Sequence, residues 1–96
     1  MAEPYEYLIT KRARQDLDSL PPAVRERVGR RLKFFIESGD PLRLATKLKD
    51  QRSGEYRFRA GAYRIIFDRK GRTLHILRVQ HRRDVYRMRS PSVIRL

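Results

Sequence analysis

The stretch Glu55-Tyr56-Arg57-Phe58-Arg59-Ala60-Gly61-Ala62-Tyr63-Arg64-Ile65-Ile66-Phe67-Asp68 decides the fold. Apolar and polar side chains alternate on both sides of Gly61-Ala62, the period of a half-buried strand. Glycine at the first of two central positions is the signature of a type II′ hairpin turn. The spacing predicts strands Glu55 to Ala60 and Tyr63 to Asp68, paired antiparallel across a two-residue loop. That loop sets the register: Ala60 opposite Tyr63, Arg59 opposite Arg64, Phe58 opposite Ile65, Arg57 opposite Ile66 and Tyr56 opposite Phe67. One face then carries Tyr56, Phe58, Ile65 and Phe67. The other carries Arg57, Arg59, Arg64 and Ile66.

Downstream, Leu74 to His81 reads as the next strand, after a turn around Lys70-Gly71. A symmetric turn there pairs Ile65 with Ile76 and Phe67 with Leu74, and puts His75, Leu77, Val79 and His81 on the arginine face. A one-residue slip would exchange the faces. Arg83 to Arg89 is read as a short terminal helix. Upstream, Tyr5 to Ile9 is a short strand, and Thr10 a helix N-cap whose hydroxyl can take an orphan backbone N–H. Ala13, Leu17 and Leu20 recur at helical spacing until Pro21-Pro22, which end one helix and suit the first turn of another. Val24, Val28, Leu32 and Phe35 make the apolar stripe of that second helix, with Ile36 beside it and Arg25, Arg27, Arg30, Arg31 and Lys33 on its remaining faces. It is expected to end near Ser38, with Gly39 at C′ and Pro41 beyond. The expected fold is α+β in one domain over residues 1–96. It has an N-terminal strand, an antiparallel helix hairpin on one face of the sheet, a three-stranded antiparallel meander and a short C-terminal helix.

Composition narrows the function. At 96 residues the chain supports one modest core, burying roughly two-thirds of its unfolded surface. It has no cysteine, which excludes a disulfide scaffold and thiolate metal sites. No apolar run approaches the ~20 residues of a membrane span, and the first residues lack the apolar region of a secretory signal. The expected location is the cytoplasm, with no membrane partner and no cofactor. Lys and Arg number 24 against 11 Asp and Glu, a net charge of +13. Residues 57–96 hold 12 of the basic and only 2 of the acidic side chains. Such asymmetry points to a polyanion or an acidic protein as partner, met mainly by the second half of the chain.

Arg59 opposite Arg64, with Arg57 two residues away, works against stability, because like charges directly across a strand pair repel. A phosphate site explains it, since arginine presents a planar fork of donors to phosphate oxygens. The run His81-Arg82-Arg83-Asp84-Val85-Tyr86 follows at the end of the third strand. His81 can exchange a proton near neutrality, Arg82 and Tyr86 share a face if the chain is helical there, and Tyr86 offers a ring for base stacking. His75 lies roughly 20 Å from His81 along a regular strand and is read as structural. No carboxylate pair falls on the basic face to hold two metals, and no phosphate-binding glycine motif is present. Metal-free RNA cleavage remains: the RNA's 2′-hydroxyl attacks the adjacent phosphate, arginines stabilise the added charge, and a proton donor serves the 5′-oxygen.

At these residues the sequence resembles the RelE/ParE superfamily of type II toxin–antitoxin toxins, over nearly the whole chain. The resemblance is carried by Lys47-Leu48-Lys49, by Gly54 to Phe67 and by His81 to Tyr86. Resemblance to RelE-type members implies an endoribonuclease that cuts mRNA in the ribosomal A site and inhibits translation. It carries their basic strand residues onto Arg57, Arg59 and Arg64, their C-terminal arginine and tyrosine onto Arg82 and Tyr86, and a histidine onto His81. Arg57 and Arg59 stand where well-known RelE toxins carry lysines. An arginine does not give up its proton, so these two are assigned to phosphate binding and His81 to proton transfer. The base for the 2′-hydroxyl stays open. The resemblance also implies a cognate acidic antitoxin, whose complex with the toxin binds its own operator DNA through the antitoxin. Ile66, Leu77 and Val79 on the basic face and Val93, Ile94 and Leu96 near the C-terminus are the apolar surfaces expected to meet it. Two other functions compete: a ParE-like toxin that inhibits DNA gyrase, and a nucleic-acid-binding module without catalysis.

Overall fold

The computed structural model describes residues 4–50 and 52–83. Its elements are β1 (Glu6–Ile9), α1 (Lys11–Asp18), α2 (Pro22–Glu37), β2 (Thr46–Lys47), β3 (Tyr56–Ala60), β4 (Tyr63–Lys70) and β5 (Thr73–His81), with a 3-10 turn at Pro41–Leu44. They form one five-stranded sheet in the order β1-β5-β4-β3-β2. β1 lies parallel to β5, and the other neighbours are antiparallel.

Thr10 joins the two layers. Its Oγ1 accepts the Ala13 N–H at 3.2 Å and donates to the Ile76 carbonyl at 2.8 Å. Its own N–H reaches the same carbonyl at 3.1 Å. One residue therefore ends β1, caps α1 and ties both to β5. α2 begins with Pro22 in its first turn and stops at Ser38, where Gly39 takes a positive φ of 85°. Ala13, Val28, Leu32 and Phe35 from the helices pack against Phe58, Ala60, Ile65, Phe67, Leu74, Ile76 and Val79 from the sheet. The rings form a pile: Phe35 on Phe58 at 4.0 Å, Phe58 on Phe67 at 4.5 Å, and Phe67 on Tyr56 at 5.4 Å.

The β3–β4 register is the expected one at all five pairs, from Ala60↔Tyr63 to Tyr56↔Phe67. Two expectations are corrected. The meander has an additional edge strand, β2, in which Thr46 and Lys47 pair with Arg57 and Tyr56. A two-residue strand carries no readable period. The β4–β5 register also differs. Phe67 faces Ile76 and not Leu74, and a bulge follows, after which Ile66 faces Arg78 and Ile65 faces Val79. The extra residue turns Val79 into the core, where it is 5% exposed, instead of onto the arginine face. The physical reason lies in β5 itself: strict alternation would bury Arg78 and Gln80 among the core side chains and leave Val79 outside.

Phe58, sandwiched between two rings, is the centre of the core. Phe58→Ala should lower the unfolding free energy by about 3–5 kcal/mol, measured by chemical denaturation with tyrosine fluorescence and circular dichroism. A loss below about 1 kcal/mol would mean that the stack does not hold the layers together.

Candidate nucleic-acid interface

Because the helices cover the Phe58 and Ile65 side, the alternating residues Arg57, Arg59 and Arg64 face the other way. Arg59 and Arg64 are direct cross-strand partners, and Arg64 in turn faces Gln80 of β5, so the three make one row across β3, β4 and β5. Arg57 belongs to the next row, between Thr46 and Ile66. Among the described residues no carboxylate forms an ion pair with any of the three arginines. Arg57 Nε is buried without a hydrogen-bond partner. Burial first, then repulsion from Arg64 and Arg59, holds the Arg57 pKa below the usual arginine value. A buried donor with no acceptor, in a cluster of like charge, is a place where an anionic oxygen relieves two costs at once.

The cluster has defined borders. At one end Gly54 lies over the sheet so closely that a Cβ there would sit 2.5 Å from Ile66 Cγ2 and 3.2 Å from Leu77 Cδ1. Ile66 is consequently 5% exposed. With Val79 in the core, the apolar patch expected from Ile66, Leu77 and Val79 is not an exposed surface of the basic face. Beyond it, Asp68 Oδ1 accepts the Glu55 N–H at 2.9 Å and Glu55 Oε1 accepts the Arg69 N–H at 2.9 Å. His75 faces Asp68 there, across the ladder. These carboxylates occupy the end of the sheet away from the Gly61-Ala62 turn, which leaves the turn end positive.

His81 is also corrected. The bulge puts it opposite Tyr63, on the face away from Arg64. Its ring meets Tyr63 edge-on, at 5.1 Å and 90°. His81 Nδ1 accepts the Arg83 N–H at 3.1 Å, so the neutral ring carries its proton on Nε2. His81 is half-buried at the last position of β5, and the Arg82 N–H donates to the Ala62 carbonyl at 2.9 Å. Exposed Arg82 is thereby held beside the turn, at the same end of the sheet as Arg59 and Arg64. Gln80, 9% exposed, stands on the arginine face opposite Arg64. A signal for this exists in the sequence: core residues run Leu74, Ile76, Val79, so the spacing changes from two to three. Tyr86, most of the helix expected over Arg83 to Arg89, and the apolar patch expected at Val93, Ile94 and Leu96 lie outside the described residues.

Residues 7–86 match the family described as ParE toxin of type II toxin–antitoxin system, parDE. The chain belongs to this RelE/ParE toxin family. Toxin RelG of Mycobacterium tuberculosis is 38% identical over 86 residues, covering 88% of this chain and 98% of that protein. A chain in the crystal structure of the toxin–antitoxin complex RelBE2 from Mycobacterium tuberculosis matches with a TM-score of 0.71 and 32% identity, covering 82% of this toxin and 99% of that chain. One in the RelB–RelE complex from Methanococcus jannaschii matches with a TM-score of 0.66 and 28% identity, over 84% and 96%.

An anion that occupies the arginine cluster should stabilise the toxin. Sulfate at 100 times its dissociation constant adds about 2.7 kcal/mol by mass action. In thermal melts, sulfate should raise Tm more than chloride at equal ionic strength. Arg57→Met should raise Tm in chloride, by removing a buried like charge, and should lose most of the extra sulfate response. Equal sulfate gains in both proteins would leave only the nonspecific salting effect.

Proposed function

We propose that this toxin is a ribosome-dependent endoribonuclease that cleaves mRNA in the A site and so inhibits translation, without a metal or other cofactor. The observation that carries the reading is the row Arg59–Arg64–Gln80, with Arg57 behind it carrying a buried donor and no acceptor. Three guanidiniums on a rigid sheet can bind adjacent phosphates and meet charge as it develops. The RNA supplies the nucleophile. Its 2′-oxygen bonds to the adjacent phosphorus, the P–O5′ bond breaks, and the products are a 2′,3′-cyclic phosphate and a 5′-hydroxyl. The 2′-hydroxyl proton leaves to a base on the ribosome-bound RNA, and the 5′-oxygen takes up a proton from His81 in its protonated form.

In this reading Arg57, Arg59 and Arg64 hold the phosphate and stabilise its added negative charge. Arg82 contacts a flanking phosphate or the leaving group from beside the turn. His81 is the proton carrier, its imidazolium giving the Nε2 proton to the 5′-oxygen around the end of the sheet and reverting to the neutral ring, and Tyr86 stacks on a base. The partner proteins follow from charge and kinship. A +13 chain fits an acidic antitoxin, and relatives of similar fold were solved in complexes named for toxin and antitoxin. Operator DNA is reached through that antitoxin, and the site of action is the cytoplasm.

A second reading has its own support. The matching family is named for ParE, and His81 lies on the face away from Arg64. A gyrase inhibitor needs no proton carrier beside the arginines. Primer extension on a translated mRNA with purified ribosomes separates the two. Codon-phased cuts are expected with wild-type toxin, weakened by at least about a hundredfold in Arg59→Ala and in His81→Ala. Absence of cuts from folded protein, with loss of supercoiling by purified gyrase, would overturn the ribonuclease reading in favour of the second. Undiminished cutting by His81→Ala would remove His81 from the chemistry.

A further inference from the structure

Asp16 of α1 makes contacts that helix packing does not require. β1 ends at Ile9, opposite Ile76, so past that point β5 has no strand on that side among the described residues. Asp16 fills the gap. Its Oδ2 accepts the Val79 N–H at 2.9 Å and the Arg78 Nε–H at 2.8 Å, and its Oδ1 accepts from Arg78 Nη2 at 3.3 Å. Arg12, one turn earlier, approaches the same carboxylate at 3.9 Å. The Asp16 and Arg78 side chains are only 14% and 22% exposed. The two residues held by this carboxylate, Arg78 and Val79, are those at which the β5 ladder resumes after its bulge.

We infer that Asp16 is a positioning residue for the functional end of β5, locking the phase of the strand after the bulge so that Gln80 stands opposite Arg64 and His81 beside Tyr63. The inference rests on the ribonuclease reading only for its effect on cleavage. A bulge can migrate along a strand when the residues that follow it are not tied down. Here one carboxylate ties the first two residues after the unpaired Leu77, the guanidinium of Arg78 and the backbone of Val79. The same contact engages the Arg78 guanidinium, so it adds no fourth free charge to the cluster of Arg57, Arg59 and Arg64. A helix residue more than sixty positions away in sequence thus sets which side chain of β5 completes the row.

Hydrogen exchange and side-chain contacts by NMR test this on the full chain, alongside single-turnover and steady-state cleavage on ribosomes. In Asp16→Ala, the Val79 amide should exchange about tenfold faster or more, relative to amides of β3. The Tyr63–His81 ring contact should weaken. kcat should fall about tenfold to a hundredfold with KM within about twofold, as for a misplaced group. Asp16→Asn keeps one oxygen for the Val79 N–H and should retain its protection, and Arg78→Met should do the same with near wild-type kcat. If Asp16→Ala does not fold, Asp16→Ser should show the same shifts in smaller measure. Val79 protection and the ring contact unchanged in a folded Asp16→Ala or Asp16→Ser would overturn the inference, as would lost protection in both Asp16→Asn and Arg78→Met. Should the wild-type protein cut no RNA, the ribonuclease reading fails while the two NMR observables still decide the role of Asp16.

Discussion

The placement of Phe58 between Phe35 and Phe67, at centroid distances of 4.0 and 4.5 Å, fixes the orientation of everything else. Successive side chains of a strand point to opposite faces. Once Phe58 is committed to the helices, Arg57 and Arg59 are committed away from them, and the tight Gly61-Ala62 turn passes the same choice to Arg64. The repulsion between the arginines is tolerated because it sits on a sheet whose other face is buried by large aromatic and branched side chains. The core therefore supplies the energy that a concentrated positive site costs.

Much of this is legible in the amino-acid pattern alone. The Gly61-Ala62 turn fixes five strand pairs, and the stripe Val24, Val28, Leu32, Phe35 fixes the buried side of α2. The three arginines of the candidate site follow from the same alternation. What escapes such a reading is non-local. The phase of β5 changes at its bulge because Arg78 and Gln80 must avoid the core while Val79 enters it, and because Asp16 receives the Val79 amide from another element. That single shift moves His81 off the arginine face and puts Gln80 on it. β2 escapes because two residues show no period. The closeness of Gly54 to Ile66 is a property of packing, set only when the loop is laid over the sheet.

The RelE/ParE toxins share this layout of helix hairpin and sheet, and within it the two faces of the sheet have separate duties. One supplies stability through shape. In this chain the other presents guanidinium donors whose geometry is set by the strands and not by flexible loops, so under the proposed function little ordering would be needed to bind a phosphate. The Arg82 backbone bond to Ala62 extends this rigidity to the last described turn, joining the end of β5 to the tip of the β3–β4 hairpin.

The parallel pairing of β1 with β5 joins Glu6–Ile9 to Thr73–Ile76, segments near opposite ends of the described chain. During synthesis β1 is made more than sixty residues before its strand partner β5. Until β5 emerges, β4 has an open edge, Thr10 has no Ile76 carbonyl to bind, and Asp16 has neither Arg78 nor Val79. Closing so long a loop is entropically slow and yields contacts only at the end. A nascent or truncated chain lacking β5 therefore has no way to assemble the sheet on which its arginines are displayed. The cell that makes this protein meets the assembled arginine face only after β5 has been translated.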